Sequence, residues 1–267
     1  MSKFARKLAR SLGHRLGRIL SFEQAALISE AILETKGIGT GADVRSSGEV
    51  SVFDLLGEAP IVLDVGGHAG DYTDALLRAR PAGHSYVFEP SDSHFRILQE
   101  RLGGRTNVTL EKIGLGARAC EAPLYKTGDI SGLASLTRRR LDHFGVEMDV
   151  VETVAVRTLD EMVEQYGITT IDLLKIDVEG HELDVLNGGT KAFQNNRINL
   201  VQFEFGGCNL DTRTTLQDFF YFFQERDFTL ALLQPSGKIE VLPRYSEFME
   251  QYRTTNYLAA PTGRLSI

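Results

Sequence analysis

The sequence predicts an α/β fold, a mostly parallel sheet with helices on both faces, preceded by a helical extension. Three observations predict it. From Ile61 onward, short β-branched runs alternate with helical segments at the spacing of strand–helix–strand units. The first of these runs opens into a glycine-rich turn, Asp64-Val65-Gly66-Gly67-His68-Ala69-Gly70. A later run, 171–176, ends by presenting Asp177, Glu179, His181 and Glu182 within six residues. Charges at the rim of a core shift their pKa, pair, or serve chemistry.

The chain has 267 residues, enough for one large α/β domain over 56–267 and a helical extension over 1–55. No run approaches the roughly 18 uninterrupted apolar residues of a membrane span, and no signal peptide pattern opens the chain. Two cysteines, Cys120 and Cys208, cannot make a disulfide framework, so the expected location is a reducing cytoplasm. The net charge of −7 conceals an asymmetry. Lys3, Arg6, Lys7, Arg10, Arg15 and Arg18 stand in an arm, 1–22, that has no acid, leaving 23 basic against 36 acidic residues elsewhere. An acidic body argues against a duplex nucleic-acid substrate, because phosphate neutralisation needs a basic face.

Within the arm, Phe4, Leu8, Leu12, Leu16 and Ile19 recur at helical spacing and share one face. Such a helix either lies on an anionic membrane surface, at the inner face of the membrane, or packs on its own domain or on a second copy in a homodimer. A second helix is expected over 22–36. In the body, strands are expected at 61–65, 85–89, 107–111, 121–126, 150–156, 171–176, 198–205, 228–233, 239–242 and 257–260. Helices are expected at 72–80, from Ser91 or Asp92 to 102, and at 158–166, 183–195 and 212–226.

In a parallel sheet, ligands bind at the carboxyl ends of the strands. Those ends are Asp64/Gly66, Glu89, Ile113, Asp177 and Glu204. The glycine turn lets a ligand approach backbone where a Cβ would intrude. A dinucleotide fingerprint would place its first glycine where Asp64 stands, and an anion there repels a pyrophosphate. S-adenosylmethionine fits better, because it has no phosphate and carries a sulfonium and an ammonium group. Glu89 can accept hydrogen bonds from ribose hydroxyls, a feature shared with nicotinamide sites.

With these motifs, Leu63–Gly70, Tyr86-Val-Phe-Glu-Pro90, Ser131–Leu136, Val156-Arg-Thr-Leu-Asp160 and above all 171–189, the chain resembles the FkbM family of S-adenosylmethionine-dependent methyltransferases. The resemblance runs from about Ile61 to Ala260. It implies a Rossmann-like class I sheet of seven strands, S-adenosylmethionine as donor, and O-methylation of a sugar, glycan, glycolipid or secondary-metabolite hydroxyl. By position it implies that Asp64, Val65, Gly66, Gly67, His68 and Gly70 line the methionine part. Glu89 would take the ribose, Ile113 and Gly114 would border the adenine, and Asp177 would face the methyl. The chain departs from the family at His68, where asparagine is common, and at Leu115, where aspartate often stands.

An alcohol is a poor nucleophile, so a base that takes its proton contributes on the order of 10²–10⁴-fold. His181 or Asp177 is the expected base, with Glu179 and Glu204 orienting the acceptor or the base. No metal is expected, although Asp177 and Glu204 would suit magnesium in a rival version. Glu182 and Asp184 are expected on a solvated helix face, Lys175 as a structural ion-pair partner, and Arg138–Arg140 as a solvated run. His14, His84, His94 and His143 are expected at the surface or in the core. Two other functions compete, a nicotinamide-dependent oxidoreductase and a non-catalytic adenosyl-binding scaffold.

Overall fold

The computed structural model of the protein describes residues 3–41, 43–128 and 132–265. Two helices come first, α1 (Lys3–Gly17) and α2 (Phe22–Glu34), followed by a 3-10 turn at Glu49–Leu55. The body continues with β1 (Ile61–Val65), α3 (Asp71–Ala79), β2 (His84–Phe88), α4 (Asp92–Leu102), β3 (Val108–Glu111) and β4 (Gly114–Leu115). Next are β5 (Cys120–Lys126), β6 (Val150–Arg157), α5 (Leu159–Gln165), β7 (Leu173–Ile176), α6 (Glu182–Asn187) and α7 (Thr190–Gln194). The chain closes with β8 (Val201–Phe205), α8 (Cys208–Thr212), α9 (Leu216–Gln224), β9 (Phe228–Leu233), β10 (Ile239–Leu242) and β11 (Thr255–Pro261).

The main sheet has the strand order β10-β9-β11-β8-β7-β1-β2-β3. Its half from β8 to β3 is parallel, whereas β11 runs antiparallel between β8 and β9. The expected seven strands are present, and β10 makes an eighth. A turn in which the Gln234 amide donates to the Lys238 carbonyl at 3.0 Å folds β10 back onto β9 at the sheet edge. A separate three-stranded sheet, β4-β6-β5, stands apart from the main one. Of the 131–136 segment, Ser131 lies outside the described residues, and Ser135 bridges to Tyr125 of β5.

The two central strands carry apolar residues on both faces because both faces are covered, with the Asp64–Lys175 ion pair between them as the exception. On β1 and β7, Leu63, Val65, Leu174 and Ile176 enter one core cluster, while Val62 and Leu173 enter the other. Val52 and Phe53, just before β1, are buried in that second cluster with Tyr72 and Leu76. They tie the end of the N-terminal segment into the body. By contrast, α1 buries none of its residues. The start of α2 is equally bare, with Phe22 91% exposed, whereas its far end reaches the body through Arg253, which pairs with Glu30 and Glu34.

Two expected helices are broken. The 183–195 stretch divides into α6 and α7 at Gly188-Gly189, where the Gly188 carbonyl accepts the Asp160 amide at 3.0 Å and the Asp160 carboxylate accepts the Lys191 and Ala192 amides at the start of α7, each at 2.9 Å. The 212–226 stretch divides into α8 and α9. Arg213 turns left-handed (φ 58°), and Thr215 then restarts the helix with a capping box to Asp218.

Candidate active site

The glycine turn closes on the tip of β1. The amides of Gly66 and Gly67 both donate to the Phe88 carbonyl, at 2.9 and 3.1 Å. Gly66 has φ +84°, and a Cβ there would lie 1.8 Å from the Asp177 carbonyl oxygen, so only glycine lets the ends of β1 and β7 approach this closely. Val65, Gly66, Gly67 and His68 line a cavity of about 1490 Å³. Asp64 does not line it. Its fully buried carboxylate faces back into the body, accepting from the Thr73 hydroxyl at 2.7 Å and pairing with Lys175 Nζ at 3.4 Å. Gly70 does not line it either, but begins α3 at φ +83° against Leu98 and Leu102. His68 adopts φ 47°, the left-handed conformation that asparagine tolerates better than most residues.

Glu89 follows β2, lines the cavity and is 5% exposed. Its carboxylate accepts the His68 amide and the Ser91 amide, each at 2.9 Å, and burial pushes its pKa up to about 7. His94, expected at the surface or in ordinary core, instead lines the same cavity at 1% exposure. Its ring lies 4.1 Å from that of His68. Burial and the neighbouring His68 hold its pKa down at about 4. Ile113 packs on the main core, whereas Gly114 and Leu115 reach the cavity wall.

At the tips of β7 and β8, carboxylate oxygens of Asp177, Glu179 and Glu204 all come within 4.8 Å of one another. Asp177 pairs with Lys175 Nζ at 3.4 Å, and Glu179 pairs with Arg139. Glu204 has no hydrogen-bond or ion-pair partner among the described residues. Burial, then Asp177 and Glu179, push its carboxyl well above the usual range. Glu179 rises to about 8 through burial and Asp177, with Arg139 opposing. On Lys175, burial favours the neutral amine, but Asp64, Asp177 and Glu49 outweigh it and the pKa rises. Three carboxylates this close can hold a cation, although Lys175 and Arg139 already neutralise two of them.

Glu182 is not on a solvated face. It is fully buried, and its carboxylate accepts the amides of Val178 and Gly180 at 3.1 and 3.0 Å, which fixes the loop carrying Glu179. Asp184 is half-buried and holds His181 Nδ1 at 2.8 Å, while His181 Nε2 meets the Thr137 hydroxyl at 2.9 Å. Arg139 also corrects the expected solvated run. Its side chain is 9% exposed, locked between Glu179 and Asp211, whereas Arg140 is 87% exposed.

Sequence reasoning missed Arg139, His94 and Glu49 as wall residues. Glu49 lines the cavity from the segment before β1, accepting from Ser47, Gln202 and Asn256. Burial lifts its pKa to about 7. None of the three belongs to a motif, so no local signal marks them.

Residues 64–230 match the methyltransferase FkbM domain. The chain belongs to that family. Among curated relatives, the 2-O-methyltransferase NoeI of Sinorhizobium fredii is 26% identical over 148 residues, 52% of this chain and 61% of that protein. The hexuronic acid methyltransferase AglP of Haloferax volcanii is 27% identical over 208 residues, 72% of this chain and 82% of that protein. The chain therefore spans only about three-fifths of the first relative. A solved FkbM methyltransferase from Methylobacillus flagellatus is 16% identical with a TM-score of 0.48, covering 77% of this chain and 45% of that one.

The family is one of methyltransferases, whose fold implies S-adenosylmethionine as donor, rather than one of nicotinamide enzymes. The cavity's own chemistry fits that donor. Its carboxylates suit a sulfonium and an ammonium group, two buried His94 nitrogens have no partner, and the Gly66-Gly67 backbone is open to a ligand. Its volume exceeds the 300–1,000 Å³ or so of a usual small-molecule site, so donor and acceptor fit together.

Proposed function

We propose that this methyltransferase methylates a hydroxyl of a sugar, carried on a glycan, glycolipid or secondary metabolite, with Glu204 as the base. The observation that carries the reading is the convergence of Asp177, Glu179 and Glu204 on one cavity, with Glu204 alone unpaired. A 2-O-methyltransferase and a hexuronic acid methyltransferase among the relatives support an oxygen of a sugar as the target. When bound, S-adenosylmethionine supplies a methyl group on a positively charged sulfur.

The turn Val65–His68, Glu89, Gly114 and Asp177 hold the donor in this reading. Glu179, clamped by Arg139, accepts hydrogen bonds from acceptor hydroxyls and fixes the attacking oxygen. Glu204 takes the hydroxyl proton. Its pKa is raised by burial, which favours its taking up a proton, and a cation in the cavity lowers it into the ionised form. His181, the sequence-based choice, has Nδ1 on Asp184 and Nε2 on Thr137, so it holds the loop that carries Arg139. No step uses a metal.

Glu204→Gln is expected to cut kcat by about 10²–10⁴-fold and to leave S-adenosylhomocysteine affinity within a few-fold in a calorimeter. Wild-type turnover in that variant, with His181→Ala inactive, returns the base to His181. Loss of activity on chelation, restored by magnesium, overturns the metal-free route.

The same reading gives α1 a role as a contact for anionic membrane. Phe4, Leu8 and Leu12 of α1 and Ile19 just beyond it are 77, 61, 59 and 78% exposed, and residues 3–19 carry six basic residues and no acid. Anionic lipid complements that charge, whereas two such arms packed together would repel. Arg253, which anchors α2, lines the cavity, so the arm leaves the body near the site. The full chain is expected to sediment with phosphatidylglycerol vesicles at low salt and not with phosphatidylcholine ones, and Leu8→Glu/Leu12→Glu should remain in solution. Equal behaviour with both vesicles, or a dimer that the double variant dissociates, assigns the face to a second copy.

A further inference from the structure

The described part of the molecule holds only four buried side-chain polar atoms without a partner, and two are the ring nitrogens of His94. The others are Asp64 Oδ1, which has Lys175 Nζ at 3.4 Å, and the Ser85 hydroxyl. A buried imidazole with neither nitrogen bonded is unstable relative to its bonded form, and such groups are rare in folded chains. His94 lies on the first turn of α4, lines the cavity, and has its ring tilted by 53° against that of His68, whose own amide donates to Glu89. His94 Nδ1 lies 3.9 Å from Glu89 Oε1, too far for a direct hydrogen bond.

An oxygen can bridge the two atoms from one side of the line between them, at an angle of about 90°. A hydroxyl placed at the usual donor–acceptor separation of about 2.8 Å from both atoms would close the gap. Its proton would go to the Glu89 carboxylate, and its lone pair would accept from the imidazole N–H. The protonation states agree: a neutral imidazole has one N–H to give, and His94 stays neutral at physiological pH. In parallel sheets, a carboxylate at the tip of the strand beside the glycine turn takes a ribose hydroxyl, and Glu89 is in that position.

We infer that His94 is a further cofactor-binding residue, which holds a ribose hydroxyl of S-adenosylmethionine between its imidazole and the Glu89 carboxylate. The inference rests on the donor reading of the cavity. It makes the site selective for the intact ribose, because a deoxy ligand would leave both groups unpaired. His94 thus assists Glu89, whose Oε1 already accepts the Ser91 amide and has room for one more donor.

The test is calorimetry on the full chain with S-adenosylhomocysteine and its 2′,3′-dideoxy counterpart. His94→Phe keeps a ring against His68 and removes both unpartnered nitrogens. The variant is expected to bind S-adenosylhomocysteine roughly tenfold more weakly, to bind the dideoxy ligand as the wild type does, and to melt at a higher temperature when unliganded. A loss of the same size with both ligands, or no loss with either, overturns the proposal. Wild-type chain that binds neither ligand overturns the donor reading itself. Nitrogen-15 spectra of the wild-type histidines need no variant: the His94 ring signals should shift with S-adenosylhomocysteine and not with the dideoxy ligand. Signals unmoved by both ligands, or moved equally by both, count against it.

Discussion

Gly66 shows how one residue can be required twice. Its φ of +84° lies in the region that side chains disfavour, and a Cβ would meet backbone, the Asp177 carbonyl at 1.8 Å, rather than a yielding side chain. The turn would have to lift off the end of β7. That would break the contacts of the Gly66 carbonyl with Lys175 Nζ at 3.3 Å and of its amide with Phe88 at 2.9 Å. Gly66→Ala is therefore expected to destabilise the chain by on the order of 3 kcal/mol and to abolish binding of S-adenosylhomocysteine. Gly104→Ala meets nothing within 4 Å and serves as the control in both denaturation and calorimetry. A Gly66→Ala chain that melts and binds like the control would remove the turn from the site.

Elements were legible in the sequence where their cause is local. β1 and β7 announce themselves as short runs, apolar except for Asp64 and Lys175, because strands covered on both faces need no alternation. α5 declares its start through Thr158 and Glu161, which form a capping box in the structure. The break between α6 and α7 is not legible, because the apolar periodicity continues through it. The groups bonded at the break belong to Asp160 of α5, 31 residues before Lys191, reached only once the chain is folded. The two-residue β4 is too short to produce any pattern. The site divides in the same way. Asp177, Glu179 and Glu204 were legible because strand tips of a parallel sheet are where ligands bind. Arg139 and Glu49 arrive from a loop and a 3-10 turn remote in sequence, and no spacing rule connects them to the strands. Even Asp64, the first residue of the turn motif, turns out to face Lys175 and Thr73 rather than the cavity.

Taken as a whole, the molecule concentrates acid where water is scarce. Glu49 and Glu89 are raised to about 7, Glu179 to about 8, and Glu204 well above the ordinary carboxyl value, with burial the leading cause in each. A carboxyl raised on folding keeps its proton in a pH range where the unfolded chain has already lost it. Stability from these groups is thus present near pH 4.5 and falls as pH rises toward about 7 to 8. Lys175 does not reverse this. Its pKa is raised from a starting value of 10.5, so the stability it adds is lost only above that window. The unliganded protein is accordingly expected to show a urea midpoint that declines between pH 5 and pH 8, and Glu204→Gln, which has no ionisable group to burden, should decline less. A positively charged ligand reverses the sign, because it is drawn to the carboxylates as they ionise. The affinity ratio of S-adenosylmethionine to S-adenosylhomocysteine, which lacks the sulfonium charge, should therefore grow from pH 5 to pH 8 in the wild type and grow less in Glu204→Gln. A ratio independent of pH in the wild type would mean that the acids of this cavity do not face the sulfonium.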